Sequence, residues 1–468
     1  MPSILLVTVI WFSRCLNTDK REYIRVPDFY EFVFRTMILE LYGTNMTQKE
    51  RGVQMIVKQF RMRDKLIPFC CYEACPDDAP IDIRTVVNSQ LGHANEFMDK
   101  TYAAYSKVYP NVTRPKIYVY IRPDALNDVN AFTDGQDIFL SAGVMIDMES
   151  YISERLNTSR YDGREILPEE LMASAHNQIW KYLMELIVGH ELTHIWNGHR
   201  NWKMNCVINK IPSFGRLMDA EDVLDESVAA ELELEQNNIE LDSINISADG
   251  NITVFNVTDY NFLQQILEID ADCCSISMVV NKMLRETEIE MEEYAAKNGL
   301  PTSDHMRYSI FYRSMTLGLI TGAAGIMCGY FDSRIPGSSF ARLSVLLASD
   351  HPINAIRFYK MQMSVFELLH SHYQDEKIVS ALLSEQNTFS VDIFMHKNGV
   401  KDFNNCYWLP VHTKEAQEFI VKLEEGWNQI HASLQRFALL PLPEKYSNSE
   451  LKVFDESVWF DCTGKPTQ

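Results

Sequence analysis

The sequence predicts an α+β fold, mostly helical, with a small antiparallel sheet or hairpin ahead of one motif-bearing helix. Three observations carry this. Stretches of helix-forming residues recur upstream of Trp196, from Asn261 to Met283 and near the C-terminus. Strand-type residues concentrate between Lys116 and Leu140, where an Asp134-Gly135 turn signal divides them. The pattern H-E-x-x-H, His190 to His194, lies in the uncharged surroundings that a buried helix requires.

The 468 residues, 46% of them hydrophobic, can bury a sizeable core in one large domain with appendages or in two to three domains. The expected division is an N-terminal region over 1–84, a motif-bearing domain over 85–375 with an acidic insertion at 201–257, and a mainly helical region over 376–468. A net charge of -21, from 43 basic and 64 acidic residues, argues against nucleic acid as a partner. The 10 cysteines have no repeating frame, and no second cluster completes a site with Cys70, Cys71 and Cys75. Reduced thiols in a cytoplasmic chain are therefore expected. The apolar run Ser3 to Phe12 is too short to span a bilayer and lacks a preceding basic residue, so a buried strand suits it.

In chain order, Tyr30 to Tyr42, Gln48 to Arg61 and Thr85 to Val108 read as helices, and Lys116 to Ile121 as a strand. Asn130 to Phe132 and Asp137 to Leu140 form the hairpin, and Ser141 caps the next helix. The hairpin is either scaffold or an edge to which an extended peptide adds as a strand. Helix formers run from Leu171 through the motif to Gly198, a C-terminal stop. Asp219 to Gln236 reads as a helix with a solvated acidic face, and Asp249-Gly250 as a second hairpin turn. The insertion around them offers a lid, a plug or a surface for a protein partner. Ser314 to Phe331 carries no charge over 18 residues, but its Gly and Ala suit a helix buried among others, so a membrane anchor is not expected. Asp350 and Pro352 open a helix to about Leu369, and a last helix runs from Thr413 to Phe437.

Two stretches carry chemistry. On a helix, His190 and His194 share a face, so both imidazoles can reach one ion. Glu191 is then placed to act as general base on water activated by that ion, for which zinc is the natural choice. From Asn261 to Met283, Glu268 and Asp272 are anomalous carboxylates in a run of buried-type residues, because unpaired buried charge is costly. Glu268 would complete a two-His, one-Glu zinc site with one open position, and Asp272 would hold the far nitrogen of a ligand histidine. Glu226 or Glu231 is the rival third ligand, set in a generally acidic helix. His199 falls nine residues after His190, on the opposite side of a continuing helix, and reads as a histidine near the helix C-terminus.

Together these pieces resemble the gluzincin metallopeptidases of the HtpX and CAAX-prenyl-protease clan. The match lies in His190 to His194, in the E-x-x-A-D of Glu268 to Asp272, in the H-P-x-x-x-x-R of His351, Pro352 and Arg357, and in the hairpin from Asn130 to Met145. The resemblance covers about Thr85 to Leu369. It implies one Zn2+ per chain on His190, His194 and Glu268, Glu191 as general base, and His351 stabilising the oxyanion. It also implies Asp272 behind a ligand, Arg357 anchoring its segment, and substrate backbone docking along Asn130, Ala131 and Phe132. The expected function is a zinc-dependent metalloendopeptidase acting on a protein or peptide. The alternative is a regulatory or binding protein on that fold with an idle or blocked zinc site. A looser likeness to the Lit-type phage-exclusion protease suggests a defence-related role. The long gap between His194 and Glu268, and the single candidate spanning segment, depart from the membrane members of the clan.

Overall fold

Long apolar runs bounded by turn residues dictate long helices, and the computed structural model arranges them beside one small sheet. It describes residues 55–62, 65–74, 81–112, 117–122, 131–146, 152, 160–161, 164–165, 169–208, 243–246, 252–255, 260–298, 302–331, 352, 354–383, 411, 414–442, 459–460 and 466–467. In order come β1 (Met55–Met62), β2 (Lys65–Tyr72), α1 (Ile81–Val108), β3 (Val119–Arg122), β4 (Ala131–Thr133) and β5 (Ile138–Ser141). The short strands β6 (Arg160–Tyr161) and β7 (Arg164–Glu165) precede α2 (Glu169–Trp196) and α3 (His199–Ile208). Then follow β8 (Ser243–Ile246), β9 (Ile252–Phe255), α4 (Tyr260–Asn298), α5 (Thr302–Phe331), α6 (Asn354–His372) and α7 (Lys414–Leu434). A terminal ribbon pairs β10 (Trp459–Phe460) with β11 (Pro466–Thr467).

The fold is α+β, but its sheet is mixed rather than antiparallel. The strand order is β1-β2-β3-β5-β4, and β3 pairs β5 in parallel. The chain leaves β3, passes to the outer edge as β4, and returns through a tight turn as β5, so β5 re-enters beside β3 in the same direction. Asp134 closes that turn: its carboxylate accepts from the amides of Gln136 and Asp137, each at 2.8 Å. The helix expected over Gln48 to Arg61 does not form in its described part. Met55–Met62 is a strand paired residue for residue with β2, from Met55↔Tyr72 to Met62↔Lys65. The β-branched Ile56 and Val57 face a second apolar run, a partner that a helical reading of one segment ignores. The second hairpin falls where its turn signal put it, with Ile244 opposite Val254. Tyr30 to Tyr42 and Asp219 to Gln236 lie outside the described residues.

Residues Val53–Gln468 form one unit, and Met1–Gly52 lie outside the described residues. In the larger unit α2 packs against α1, α4, α5 and the sheet. Leu183, Met184, Leu186, Val188 and Leu192 are fully buried along it, and each such side chain contributes roughly 1.5–3 kcal/mol. The uncharged run in α5 lies in the same core, with Leu317, Ile320, Ala323 and Ala324 buried. No helix among the described residues is long and apolar enough to cross a membrane. A second core joins the start of α4 to α6 and α7 through Phe262, Ile266, Ile356, Phe419 and Trp427.

One corner positions the site. α2 ends at Trp196, Gly198 turns left-handed at φ 72°, and α3 starts at His199. The end of α7 and the segment after it clamp this corner. Leu439 N donates to Trp196 O at 2.7 Å, Trp202 Nε1 donates to Ser433 Oγ at 2.9 Å, and the Phe437 carbonyl fills the space a side chain at 198 would need.

Gly198→Ala is therefore expected to destabilise the protein by roughly 2–4 kcal/mol, from left-handed strain plus overpacking. Gly92→Ala, exposed in the interior of α1 with nothing near its added methyl, should instead stabilise by about 0.5–1 kcal/mol. Urea denaturation midpoints measure both. A neutral Gly198→Ala would show that the corner is not tightly built.

Candidate metal centre

The site forms where α2 crosses α4. At the crossing α2 carries Gly189 and α4 carries Ala271 and Ser275, all small, so the backbones come close. A Cβ on Gly189 would lie 3.2 Å from Ser275 Oγ, and that hydroxyl donates to Leu186 O at 2.6 Å. This approach faces the histidine pair of α2 towards the carboxylates of α4.

Three side chains converge there. His190 Nε2 lies 3.1 Å from Glu268 Oε2 and 3.2 Å from His194 Nε2, and His194 Nε2 lies 3.6 Å from Glu268 Oε1. A tetrahedral zinc with bonds of ~2.0–2.1 Å separates its ligand atoms by roughly 3.3–3.4 Å. These separations are close to that edge, with Glu268 meeting each imidazole through a different oxygen; one donor atom from each residue lies within 4.8 Å of the others, and two imidazoles and one carboxylate are zinc-type donors. Charge points the same way. The carboxylates of Glu191, Glu268, Asp270 and Asp272 are 8%, 5%, 5% and 0% exposed, against two permanent cations, Arg357 and Lys203, at 5% and 3%. With both imidazoles neutral, the formal excess of two negative charges is what a divalent cation would neutralise.

Each of the three has a partner behind it. His190 Nδ1 lies 2.9 Å from Asp272 Oδ1, and Arg357 on α6 grips that carboxylate with two bonds, Nε to Oδ2 at 2.7 Å and Nη2 to Oδ1 at 2.9 Å. His194 Nδ1 lies 2.8 Å from His199 Nδ1, and His199 Nε2 lies 3.0 Å from Asp270 Oδ2. Glu268 Oε1 accepts from Gln264 Nε2 at 2.7 Å, and Gln264 Oε1 accepts from Lys203 Nζ at 3.0 Å.

These contacts set the protonation of the metal-free site. Burial disfavours charge on His190, but its hydrogen bonds to Asp272 and Glu268 outweigh this and lift its pKa to about 10. Burial holds His194 well below its usual value, against the pull of Glu268, so this imidazole is neutral. Burial would raise Asp272, yet the Arg357 guanidinium more than offsets it and keeps the carboxylate ionised. Burial pushes the neighbouring thiol of Cys273 up to about 12 and that of Cys274 well above the usual range, which disfavours their thiolates at neutral pH.

The structure brings His190, His194, Glu268, Asp272 and Arg357 together. Glu191 sits buried on α2 beside His190. Ala131 and Phe132 lie in β4, the edge strand of the sheet. His351, Asn130, Glu226 and Glu231 lie outside the described residues. His199 is a correction: the helix does not continue past Gly198, so nine residues do not carry it to the far side. It begins α3, fully buried, and its ring meets His194. Sequence reading also passed over Asp270, Gln264 and Lys203. Asp270 carried the same signal as Glu268 and Asp272, a carboxylate in an apolar run, whereas Gln264 and Lys203 carried none.

With His190 titrating at about 10, its site proton is in place at pH 7 and an entering cation must displace it. Zinc affinity is thus expected to rise about tenfold per pH unit through neutrality, and to level off as pH approaches the His190 value. Calorimetry in buffers of different ionisation enthalpy would count close to one proton released per zinc bound. Binding with no proton release would overturn this account of His190.

No protein-family model, curated protein or solved structure matches the chain.

Proposed function

We propose that the protein is a zinc-dependent metalloendopeptidase of the gluzincin type that its motifs resemble, acting on protein or peptide substrates in the cytoplasm. The observation that carries this reading is the buried donor cluster of His190, His194 and Glu268, with one donor atom from each within 4.8 Å of the others and Glu191 next along the same helix. Zinc held there supplies Lewis acidity at neutral pH, activating water and polarising a carbonyl.

The chain's own groups do the rest. Glu191 takes the proton from the attacking water and passes it to the leaving amine. Its burial keeps bulk water from competing for that proton. Asp272, held by Arg357, accepts from Nδ1 of His190 and leaves Nε2 for the cation. Gln264 fixes the carboxylate of Glu268. The oxyanion role of His351 rests on the resemblance alone.

The sheet edge supports a peptide substrate. Ile138 donates to Tyr118 O on the β3 side, so Thr133, its partner in β4, turns its polar backbone groups away from β5. Ala131, two residues earlier, faces the same way. Among the described residues no strand pairs with the outer edge of β4, and Arg200 Nη1 donates to Thr133 O at 3.0 Å at one end of it. An extended substrate strand would pair with Ala131, beside the motif helix that packs on β4. The 10 cysteines, scattered without a repeating frame, suit a reducing compartment.

Glu191→Gln should bind zinc as the wild type does and lose about 10²–10⁴-fold in hydrolysis. Mass-spectrometric profiling of a peptide library, cut by wild type and by the variant, reads both substrate and loss. A variant that cuts at the wild-type rate would overturn the mechanism.

A further inference from the structure

We propose that His199 and Asp270 are positioning residues that fix the tautomer of His194, leaving its Nε2 bare towards the cation. This inference rests on the metal-centre reading above and adds to it a second support built around a histidine.

The chemistry of the chain of contacts dictates the proton positions. A carboxylate only accepts hydrogen bonds, so His199 donates to Asp270 Oδ2 through Nε2, across 3.0 Å. Asp270 is committed to that role. Asn197 Nδ2 donates to the same oxygen at 2.6 Å, and Cys274 Sγ to the other at 3.7 Å. A singly protonated imidazole that donates through one nitrogen accepts through the other. With His199 singly protonated, its Nδ1 accepts from His194 Nδ1 at 2.8 Å. The proton of His194 is then held on Nδ1, and its Nε2 lies 3.2 Å from His190 Nε2 and 3.6 Å from Glu268 Oε1.

Three elements must meet for this. His194 comes from α2, Asp270 from α4, and His199 from the first residue of α3. The left-handed Gly198 turns the chain so that the ring of His199 comes edge-on to that of His194, with centroids 4.9 Å apart. His199 is fully buried there. The two ligand histidines are thus held differently: His190 directly by the Asp272 carboxylate, His194 through a second imidazole that relays the carboxylate of Asp270.

Two substitutions separate positioning from packing. His199→Phe keeps a ring of similar volume but offers no acceptor. His199→Asn loses the ring but can place an amide oxygen where Nδ1 was. Zinc dissociation constants, read by competition with a chromophoric chelator, should rise about 10–100-fold in His199→Phe and stay within about threefold of wild type in His199→Asn. The absorption bands of the cobalt-loaded protein should shift in the first variant and not in the second. A packing role predicts the reverse order, with His199→Phe the better binder. Wild-type affinity in His199→Phe, or equal weakness in both variants, would overturn the proposal. His199→Leu serves as a second acceptor-free variant should the first not fold, with folding read by zinc-free circular dichroism. Failure of the centre itself would look different: the wild type would take up no zinc, or Glu268→Ala would take it up undiminished.

Discussion

The close crossing of α2 and α4 is the constraint from which the rest of the site follows. Successive contacts tie the two helices together along their length. Glu185 pairs with Lys282, Ser275 donates to Leu186 O, His190 meets Asp272, and Asn197 donates to Asp270. As the numbers rise on one helix they fall on the other, so the pair is antiparallel. Gly189 and Ser275 set the approach at the centre, and a larger side chain at either position would push the histidines away from the carboxylates by a few tenths of an ångström or more. Metal-type geometry tolerates little of that, because the ligand triangle has edges fixed by bond length.

A crossing this close buries charge, and the charge draws in the other helices. Asp272 is wholly buried and would be costly unpaired, so Arg357 of α6 meets it with both ends of its fork. α6 is fastened in turn to α7 by the buried pair Lys360–Glu424, at 2.7 Å. α3 contributes Lys203 to the Gln264–Glu268 chain on the other side. Breaking such a buried pair from one side typically costs about 3–5 kcal/mol. The helices around the site are thus ordered by its electrostatics as well as by the apolar clusters between them.

What could be read from sequence, and what could not, divides along physical lines. Glu268 and Asp272 stood out because a carboxylate in an apolar run needs a reason. The helix through His190 and the hairpin of Ile244 and Val254 were legible because their signals are local, a period and a turn residue. The pairing of β1 with β2, and the parallel pairing of β3 with β5, depend on partners that no local period specifies. His199 was misread for a sharper reason. Counting residues along a helix assumes the helix continues, and Gly198, at a left-handed φ, ends it. A glycine that ends a helix also resets the direction of every side chain after it, so helical spacing does not carry across Gly198 to His199.

That corner also shows why the motif is necessary but insufficient for the arrangement. His190 and His194 share a face because five consecutive residues are helical, and any buried helix could supply that. The second imidazole behind His194 needs a left-handed residue at 198, and the left-handed residue needs room. Room and anchorage come from Phe437 and Leu439, more than two hundred residues downstream, whose backbone packs on Gly198 and donates to Trp196 O. Trp202, tied to Ser433, holds the start of α3 at the matching height. The chain after α7 is therefore part of the apparatus that aims a histidine of α2, although it contributes no side chain to the donor triangle.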